Sequence, residues 1–291
     1  MSIVVEQLSK AFGKQKAVDA VNFSIEPGQT CGFLGPNGAG KSTTLKMITG
    51  FLQPTSGKVT VHGIDVLNDP LEAKKHIGYL AEHNPLYLDM YVREFLGFIA
   101  NVHGLKGKKA AADLVIEKTG LEREAHKVIG SLSKGYRQRV GLAQALIHDP
   151  EVVILDEPLS GLDPNQLGEL REVIRGLGQE KTVIFSSHIL QEVEQVSDRI
   201  LVINNGQLVA DSPAGSISSQ ANNHQSIVEV EFLEAITQEQ LQLLNQLGNI
   251  QVLNDRHFEI SSGDLGLEQR KALFNFATIH HLTLITLKEK E

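Results

Sequence analysis

The sequence predicts an α/β fold with parallel strands at its centre, and three observations indicate it. A short apolar segment at 30–34, typical of a buried strand, leads into a glycine-rich loop, and a helical pattern follows from residue 44. An apolar run at 152–155 ends in two acidic residues, as a buried parallel strand does when it carries carboxylates to its carboxyl end. Strand and helix patterns then alternate up to residue 203.

The composition is that of an ordinary globular protein. The 291 residues are 41% hydrophobic and 21% charged, which leaves room for two domains. A net charge of −8 argues against broad nucleic-acid binding, for which a basic surplus is usual. No apolar run approaches the roughly 18 to 20 residues that cross a bilayer, and no signal-peptide pattern is present, so we expect a soluble chain or one attached to a membrane through a partner. The single cysteine, Cys31, excludes an internal disulfide and suits the cytosol.

The glycine-rich loop has the G-x-x-x-x-G-K-[ST] spacing of a phosphate-binding loop. Its residues are Gly35, Pro36, Asn37, Gly38, Ala39, Gly40, Lys41, Ser42 and Thr43. Glycines let successive backbone N–H groups point at phosphate oxygens, and the next helix turns its positive end toward the same anion. Lys41 is suited to the outer phosphates of a triphosphate, and the Ser42 hydroxyl to Mg²⁺. The spacing does not fit a dinucleotide-binding loop, and a glycine turn with a chance Lys-Ser pair is the plain alternative.

The segments around the loop predict short paired strands. Residues 3–5 and 21–25 alternate in polarity, and a turn is expected at 26–29. Phe12 lies just before a glycine turn, and it could stack on a base or belong to the core. Turns and short strands continue to a strand-like stretch at 77–82. These strands predict an antiparallel β subdomain.

From about residue 88 the apolar residues recur with the spacing of a helix. One face of the first helix collects Val92, Phe95, Leu96, Ile99 and Val102. A second helix is predicted at 110–119. We therefore expect a helical subdomain at about 84–150, inserted into the α/β pattern.

The α/β pattern resumes after the two acids. Helices are predicted at 166–177 and 189–196, with a second buried strand at 181–186 between them. A strand at 200–203 is followed by Asn-Asn-Gly, which predicts a hairpin.

Composition divides the chain into a large and a small domain. The first domain is predicted at 1–212, and a Ser-, Gly-, Asn- and Gln-rich linker at 213–225. The remainder, 226–291, reads as strand, helix, two strands, helix and strand. That order predicts a small α+β domain of the ferredoxin-like (βαββαβ) type.

Four further motifs accompany the phosphate-binding loop. They are Ser131–Arg139, Asp156–Glu157, Ser160–Asp163 and Ser186–His188. In the first, Ser133 is a natural N-cap, so its hydroxyl and the N–H groups near Gly135 can bind a terminal phosphate, although an ordinary capped helix would explain Ser133 alone. In the second, two acidic residues directly follow an apolar strand. Burying their carboxylates is unfavourable unless they bind a cation or take part in catalysis.

In this order the motifs resemble those of the ATP-binding subunits of ABC transporters, over residues 2–215. The resemblance implies a P-loop NTPase core that binds and hydrolyses ATP with Mg²⁺. It implies that Asp156 supports Mg²⁺, that Glu157 is the base for the attacking water, and that His188 contacts the γ-phosphate and orients the water and Glu157. Phe12 matches the aromatic residue that stacks on adenine.

The resemblance also implies a head-to-tail dimer, with identical chains as the first expectation. Lys41, Ser42, Asp156, Glu157 and His188 of one chain would face Ser133 and Gly135 of the other. Asp163 belongs to the loop through which the two chains communicate.

Glu82 departs from the family pattern. The family usually has glutamine at this position, where an amide oxygen ligates Mg²⁺ and senses the transmembrane partner. A carboxylate there can also ligate the metal, but it adds negative charge near the γ-phosphate. We therefore expect Glu82 to serve the site with an altered Mg²⁺ dependence.

Finer features resemble the branch that works with ABC-2-type exporters. They are the appended small domain, the segment 78–87, which is similar to the gliding-motility-associated ATP-binding subunit, and residues 134–136 of the signature segment. We use the name signature segment for residues 131–139, which resemble the ABC signature. The expected partner is a membrane permease that contacts residues 82–91 and the adjoining helices. This implies a cytoplasmic subunit, peripheral on the inner membrane, with no nucleic-acid partner. The alternatives are an ABC ATPase that acts on ribosomes or DNA, and a non-catalytic regulatory module.

Overall fold

The structure, a computed structural model, describes residues 1–216, 226–245, 248–262 and 266–290. It forms two compact units, Met1–Ala214 and Gly215–Glu291. The strands are β1 (Ile3–Phe12), β2 (Gln15–Ile25), β3 (Thr30–Leu34), β4 (Ser56–Val61), β5 (Ile64–Asp65), β6 (Ile77–Leu80), β7 (Val152–Leu155), β8 (Thr182–Ser187), β9 (Arg199–Asn204), β10 (Gln207–Pro213), β11 (Ser226–Phe232), β12 (Asn249–Val252), β13 (His257–Ser262) and β14 (Leu284–Lys290). The α-helices are α1 (Lys41–Ile48), α2 (Pro70–Lys75), α3 (Val92–Val102), α4 (Lys108–Lys118), α5 (Lys134–Leu146), α6 (Pro164–Gly178), α7 (Leu190–Glu194), α8 (Gln238–Leu244) and α9 (Gly266–Ile279), and Ile129–Ser131 form a 3₁₀ turn.

The central sheet of the first unit has the strand order β10-β9-β3-β8-β7-β6. Five of these strands are parallel, and β10 pairs antiparallel with β9 at the edge. All residues of β7 and β8 are buried, which explains their continuous apolar or small composition. Because β3, β8 and β7 are neighbours, the segments that follow their carboxyl ends meet at one edge of the sheet. The predicted α/β class is confirmed.

A second sheet of this unit is antiparallel, with the order β2-β1-β4-β5. Its apolar side chains form one core with those of the central sheet. Phe23 of β2 and Phe33 of β3 bridge the two sheets, with ring centroids 5.9 Å apart. This is the predicted antiparallel subdomain.

Helices α3, α4 and α5 lie between β6 and β7 in the chain and form a helical block. Helix α3 buries Val92, Phe95 and Leu96, as its apolar period predicts. Val102, in its last turn, is 66% exposed, so the buried stripe is shorter than the apolar face in the sequence.

The second unit has the sheet order β12-β13-β11-β14, with every pair antiparallel. This order and the βαββαβ succession are those of a ferredoxin-like fold. Its core contains Val228, Phe232, Phe258 and Phe276, among others. Of the predicted linker, β10 extends to Pro213, and residues 217–225 lie outside the described residues. Within the described ranges, no helix is long and apolar enough to span a membrane.

Candidate active site

The phosphate-binding loop joins β3 to α1 and is pressed against neighbouring backbone. A Cβ at Gly35 would overlap the carbonyl oxygen of Ile203, and one at Gly40 would lie 2.5 Å from the carbonyl oxygen of Ala17. Gly40 is also the N-cap of α1 with φ 108°, a left-handed conformation that favours glycine. Glycine at these positions therefore lets the loop reach the sheet while the amino end of α1 stays open.

The loop borders a cleft of about 420 Å³. The cleft is lined by Ala17, Asn37, Gly38, Gly40, Lys41, Ser42, Thr43, Glu82, Glu157, Ser160 and His188. The structure thus gathers the loop, Glu82, Glu157 and His188 at one place, although they follow four different strands. Sequence reasoning did not select Ala17, a small residue of β2 with no distinguishing local pattern, and it named Ser160 only as part of a motif.

Lys41 is buried, with 5% of its side chain exposed, and its ammonium group is held by three oxygens. Its Nζ donates to the carbonyl oxygens of Gly35 at 2.7 Å and Pro36 at 3.2 Å. It also lies 3.3 Å from Oε1 of Glu157, which is only 9% exposed. A buried ammonium requires such partners, and the Glu157 carboxylate is the charged one.

Glu157 also pairs with His188, whose Nδ1 lies 3.0 Å from Oε2 of Glu157. The backbone of Glu157 has φ 49°, which is uncommon for a residue with a side chain and costs of order 1–3 kcal/mol. The Glu157 N–H donates to Oγ of Ser186 at 2.8 Å, which holds this conformation. Backbone strain at the end of β7 therefore directs the carboxylate to a point between Lys41 and His188.

Asp156 is 1% exposed and only half satisfied. Its Oδ1 accepts hydrogen bonds from the hydroxyls of Ser42 at 2.9 Å and Ser186 at 2.7 Å. Its Oδ2 is buried and has no hydrogen-bond partner among the described residues. Burial raises the pKa of Asp156, the negative charge of Glu82 raises it further, and the two hydroxyl hydrogen bonds oppose the shift.

These oxygens suit a divalent cation. A buried carboxylate oxygen without a donor is costly, and hard cations such as Mg²⁺ prefer carboxylate and hydroxyl oxygens. Ser42 Oγ, Asp156 Oδ2 and the half-exposed carboxylate of Glu82 are the oxygens that would hold Mg²⁺. The donor set fits the predicted ion.

Other predicted residues lie apart from the cleft lining. Ser133 caps α5, and Asp163 caps α6 by accepting from the N–H groups of Asn165 and Gln166 at 3.1 and 3.0 Å. Phe12 is 54% exposed, and Lys10 lies over its ring at 5.3 Å. Its exposure excludes the core alternative and leaves an aromatic surface on which a base can stack.

Gln166 of α6 was not selected from the sequence as a site residue, yet its side chain contacts Ser133 and Gly135 of the signature segment. Its Nε2 donates to the Ser133 hydroxyl at 2.9 Å, and a Cβ at Gly135 would overlap its side-chain amide. The hydroxyl oxygen of Ser133 thus accepts one hydrogen bond from Gln166 and a weaker one from the Tyr136 N–H at 3.4 Å. The lack of a local pattern at Gln166 explains why sequence reasoning missed it.

We expect Gly135→Ala to lower the stability of the free subunit by at most about 1 kcal/mol, because the flexible end of the Gln166 side chain must move aside and lose its hydrogen bond to Ser133. Gln166→Ala in the same chain should restore most of that loss. Thermal unfolding of the two single variants and the double variant would measure the coupling. Gly97→Ala, where a Cβ meets no described atom within 4 Å, is the matched control. Additive effects in the double variant would contradict the contact.

Comparisons with known proteins identify the family of this chain. The model of the ABC transporter family matches residues 18–160. The bacitracin transport ATP-binding protein BcrA of Bacillus licheniformis is 41% identical over 217 residues, which cover 73% of this chain and 71% of BcrA. The linearmycin resistance ATP-binding protein LnrL of Bacillus subtilis is 32% identical over 98% of this chain and 93% of its own length.

Solved structures show the same fold. The CbiO1 protein of Clostridium perfringens, part of the ABC transporter complex CbiONQ, superposes with a TM-score of 0.69 at 26% identity and covers 76% of this chain and 91% of its own. The dimeric bacterial ABC transporter cassette MJ0796 gives a TM-score of 0.67 at 25% identity over 73% of this chain and 98% of its own.

The fold and the cleft define a P-loop nucleoside triphosphatase. Together with these relatives, they show that the chain belongs to the ATP-binding subunits of ABC transporters, and it is an ATPase. Subunits of this family act with membrane permeases and form dimers.

Proposed function

We propose that this chain hydrolyses MgATP in a head-to-tail dimer and thereby drives a separate ABC-2-type permease. The observation that carries the proposal is the meeting of Lys41, Glu157 and His188 in one cleft, beside a buried Asp156 oxygen that has no hydrogen-bond partner in the described part of the chain. A cation, a carboxylate base and an imidazole are the groups that phosphoryl transfer to water requires.

Each side chain has a distinct part in the proposed reaction. Lys41 exchanges its contact with Glu157 for the outer phosphates, which frees the Glu157 carboxylate to accept a proton from the attacking water. His188, hydrogen-bonded to Glu157, orients that carboxylate and the γ-phosphate. Bound Mg²⁺ would neutralise charge that develops on the phosphates, with Ser42, Asp156 and Glu82 as its protein ligands. Phe12 stacks on the adenine.

The proposed dimer follows from where the signature segment lies. Ser133 and Gly135 do not line the cleft of their own chain, so their contact with a phosphate requires a second copy. The N-terminal end of α5 supplies N–H groups for that anion. Gln166 must release the Ser133 hydroxyl when this contact forms, and Asp163 caps the adjacent helix in the same region.

We expect Glu82→Gln to raise the Mg²⁺ concentration needed for half-maximal ATPase activity by about three- to tenfold. The carboxylate attracts a divalent cation more strongly than an amide does, and its partial exposure reduces the gain. A Mg²⁺ titration of both proteins at saturating ATP would measure the shift. Glu72→Gln, on the exposed α2, is the control. Identical titration curves for Glu82→Gln and the parent would remove Glu82 from the metal site.

The surface proposed for the permease is apolar and exposed. Tyr87, Leu88 and Tyr91 are each 51–53% exposed, and Phe98 of α3 is 42% exposed. Tyr91→Asp and Leu88→Asp should abolish co-purification with the permease, whereas Leu71→Asp, at a 78% exposed position on α2, should not. Unchanged co-purification of both variants would place the partner elsewhere.

The names of the relatives support a transport role. BcrA is named for bacitracin transport and LnrL for linearmycin resistance. The ABC-2 assignment, the identical-chain dimer and the location at the cytoplasmic face of the inner membrane are parts of this proposal. The narrower gliding-motility assignment depends on the resemblance of residues 78–87 and remains a prediction.

The deciding experiment measures phosphate release by the purified full chain, alone and with membrane fractions that contain its co-expressed permease. Stimulation by the permease supports the proposal. Stimulation by RNA, DNA or ribosomes instead would support the soluble alternative. No ATP-dependent phosphate release under either condition would favour the regulatory module.

A further inference from the structure

A second cluster of metal-ligating side chains lies away from the cleft. His62, His76 and Glu151 each present one ligand atom, and these three atoms lie within 4.8 Å of one another. Among the residues that the structure describes, this is the one group of three or more His, Cys, Asp or Glu side chains so arranged. Glu151 precedes β7, whereas Asp156 follows it. The cluster therefore lies at the amino ends of the parallel strands, and the active site lies at their carboxyl ends.

The three side chains come from three separate segments. His62 lies in the two-residue turn between β4 and β5, His76 ends α2, and Glu151 lies just before β7. The Val152 N–H donates to the His76 carbonyl oxygen at 3.0 Å, which holds the second and third segments side by side. Backbone structure therefore sets the His76–Glu151 contact before any ligand arrives.

The turn between β4 and β5 fixes the position of His62. His62 has φ 51° and is followed by Gly63 with φ 79°, as in a two-residue hairpin turn. Asn or Asp is the usual residue at the first such position, because its short polar side chain tolerates the left-handed backbone. Histidine is also enriched in this conformation, so the turn accepts the imidazole, which stacks on the ring of His76.

Each ring nitrogen of His76 has a carboxylate nearby, and a second imidazole lies against its face. Nδ1 of His76 lies 2.9 Å from Oε2 of Glu151, and the His62 and His76 rings stack with centroids 4.7 Å apart. The other nitrogen of His76, Nε2, lies 4.0 Å from Oε1 of Glu72. A metal-bound imidazole usually donates its second N–H to a carboxylate, and Glu72 is the nearby carboxylate, at a distance that is longer than a hydrogen bond. An ion pair between His76 and Glu151 would explain two of these residues but not the second imidazole.

We propose that His62, His76 and Glu151 bind a divalent transition-metal ion of the Zn²⁺ type. Two imidazoles and one carboxylate are a ligand set suited to Zn²⁺ and its neighbours, whereas Mg²⁺ and Ca²⁺ prefer oxygen ligands alone. His62 is exposed, so its ring can turn from the stacked position to direct a nitrogen at the ion. The bound ion ties the β4–β5 turn of the antiparallel sheet to β7 of the central sheet, and it stabilises the folded chain because it binds that state preferentially.

The test measures Zn²⁺ binding to the tag-free full chain in excess Mg²⁺, which occupies the oxygen site at Asp156. His62→Asn removes one ligand and keeps a residue that suits the turn, and Glu151→Gln removes another with little change of shape. We expect each variant to lose one high-affinity equivalent of Zn²⁺, with affinity reduced by more than about 100-fold, since even the outer partners of metal ligands are worth about 10–100-fold. Zn²⁺ should raise the melting temperature of the parent, and EDTA should reverse the rise.

His103→Asn is the matched control. His103 stacks on His148 at 4.2 Å in the same manner, but that pair does not belong to a three-ligand group, so Zn²⁺ binding should be unchanged. If the parent and His62→Asn bind Zn²⁺ with equal stoichiometry and affinity, the proposal is wrong. If Glu151→Gln does not fold, the exposed turn variant decides the question alone.

Discussion

Glu157→Gln should reduce the steady-state ATPase rate by about 10²–10⁴-fold, the usual contribution of a general base. The carboxylate is placed for this role by the strained backbone at φ 49° and by its contacts with Lys41 and His188. Glutamine keeps the shape of the side chain but cannot accept the proton of water. Phosphate release at saturating MgATP would measure the loss.

The same variant should keep its affinity for ATP or bind it more tightly. The Glu157 carboxylate lies 3.3 Å from the Lys41 ammonium, so it competes with the outer phosphates for that cation. The neutral amide removes the competition. Nucleotide-bound dimer should therefore accumulate, and size-exclusion chromatography with ATP would detect it.

Glu172→Gln provides the control, because Glu172 is a 70% exposed residue of α6 whose ion pair with Arg175 is at the surface. It should leave turnover and dimer formation unchanged. Near-parental turnover by Glu157→Gln would remove Glu157 as the base and would leave His188 as the remaining candidate.

Lys41→Ala should weaken ATP binding by about 10- to 150-fold, which corresponds to a charged hydrogen bond worth about 1.5–3 kcal/mol. The Lys41 ammonium is 5% exposed and is placed between the loop carbonyls and Glu157, directly beside the amino end of α1. Of the described residues that line the cleft, Lys41 alone carries an ammonium group. Equilibrium binding of a fluorescent ATP analogue would measure the change.

Lys75→Ala is the corresponding control, since Lys75 is 68% exposed and pairs with Glu72 one helical turn away. Because Lys41→Ala leaves the buried Glu157 carboxylate with one partner fewer, the melting temperature of each variant should be recorded with the affinity. An Lys41→Ala protein that is folded and binds ATP like the parent would contradict the assignment of this cleft to nucleotide.

Local patterns were sufficient for much of the fold and for many site residues. The phosphate-binding loop could be predicted because strand, glycine spacing and helix N-terminus are consecutive in the chain. Asp156 and Glu157 stood out because two acids directly follow a fully apolar run. The βαββαβ order of the second unit could be predicted because segments with the apolar spacing of strands and of helices alternate there. The antiparallel sheet confirms this order.

Contacts between distant segments could not be predicted in this way. The hydrogen bond between Ser42 and Asp156 joins residues 114 positions apart, and its existence depends on the nonconsecutive strand order β3-β8-β7. Gln166 on the Ser133 hydroxyl and the His62–His76–Glu151 cluster have no local signature either.

The sequence by itself determined the chemical groups that this chain can offer to a nucleotide. They are a glycine-rich loop, a lysine, two acidic residues and a histidine, each in a segment that follows a strand. Only the tertiary structure decided which of these groups meet and that Lys41 is paired with Glu157. It also decided that one Asp156 oxygen has no donor among the residues that the structure describes. The physical reason is that a residue's backbone conformation depends on its near neighbours in the chain. The partners of its charge depend on which strands are packed side by side.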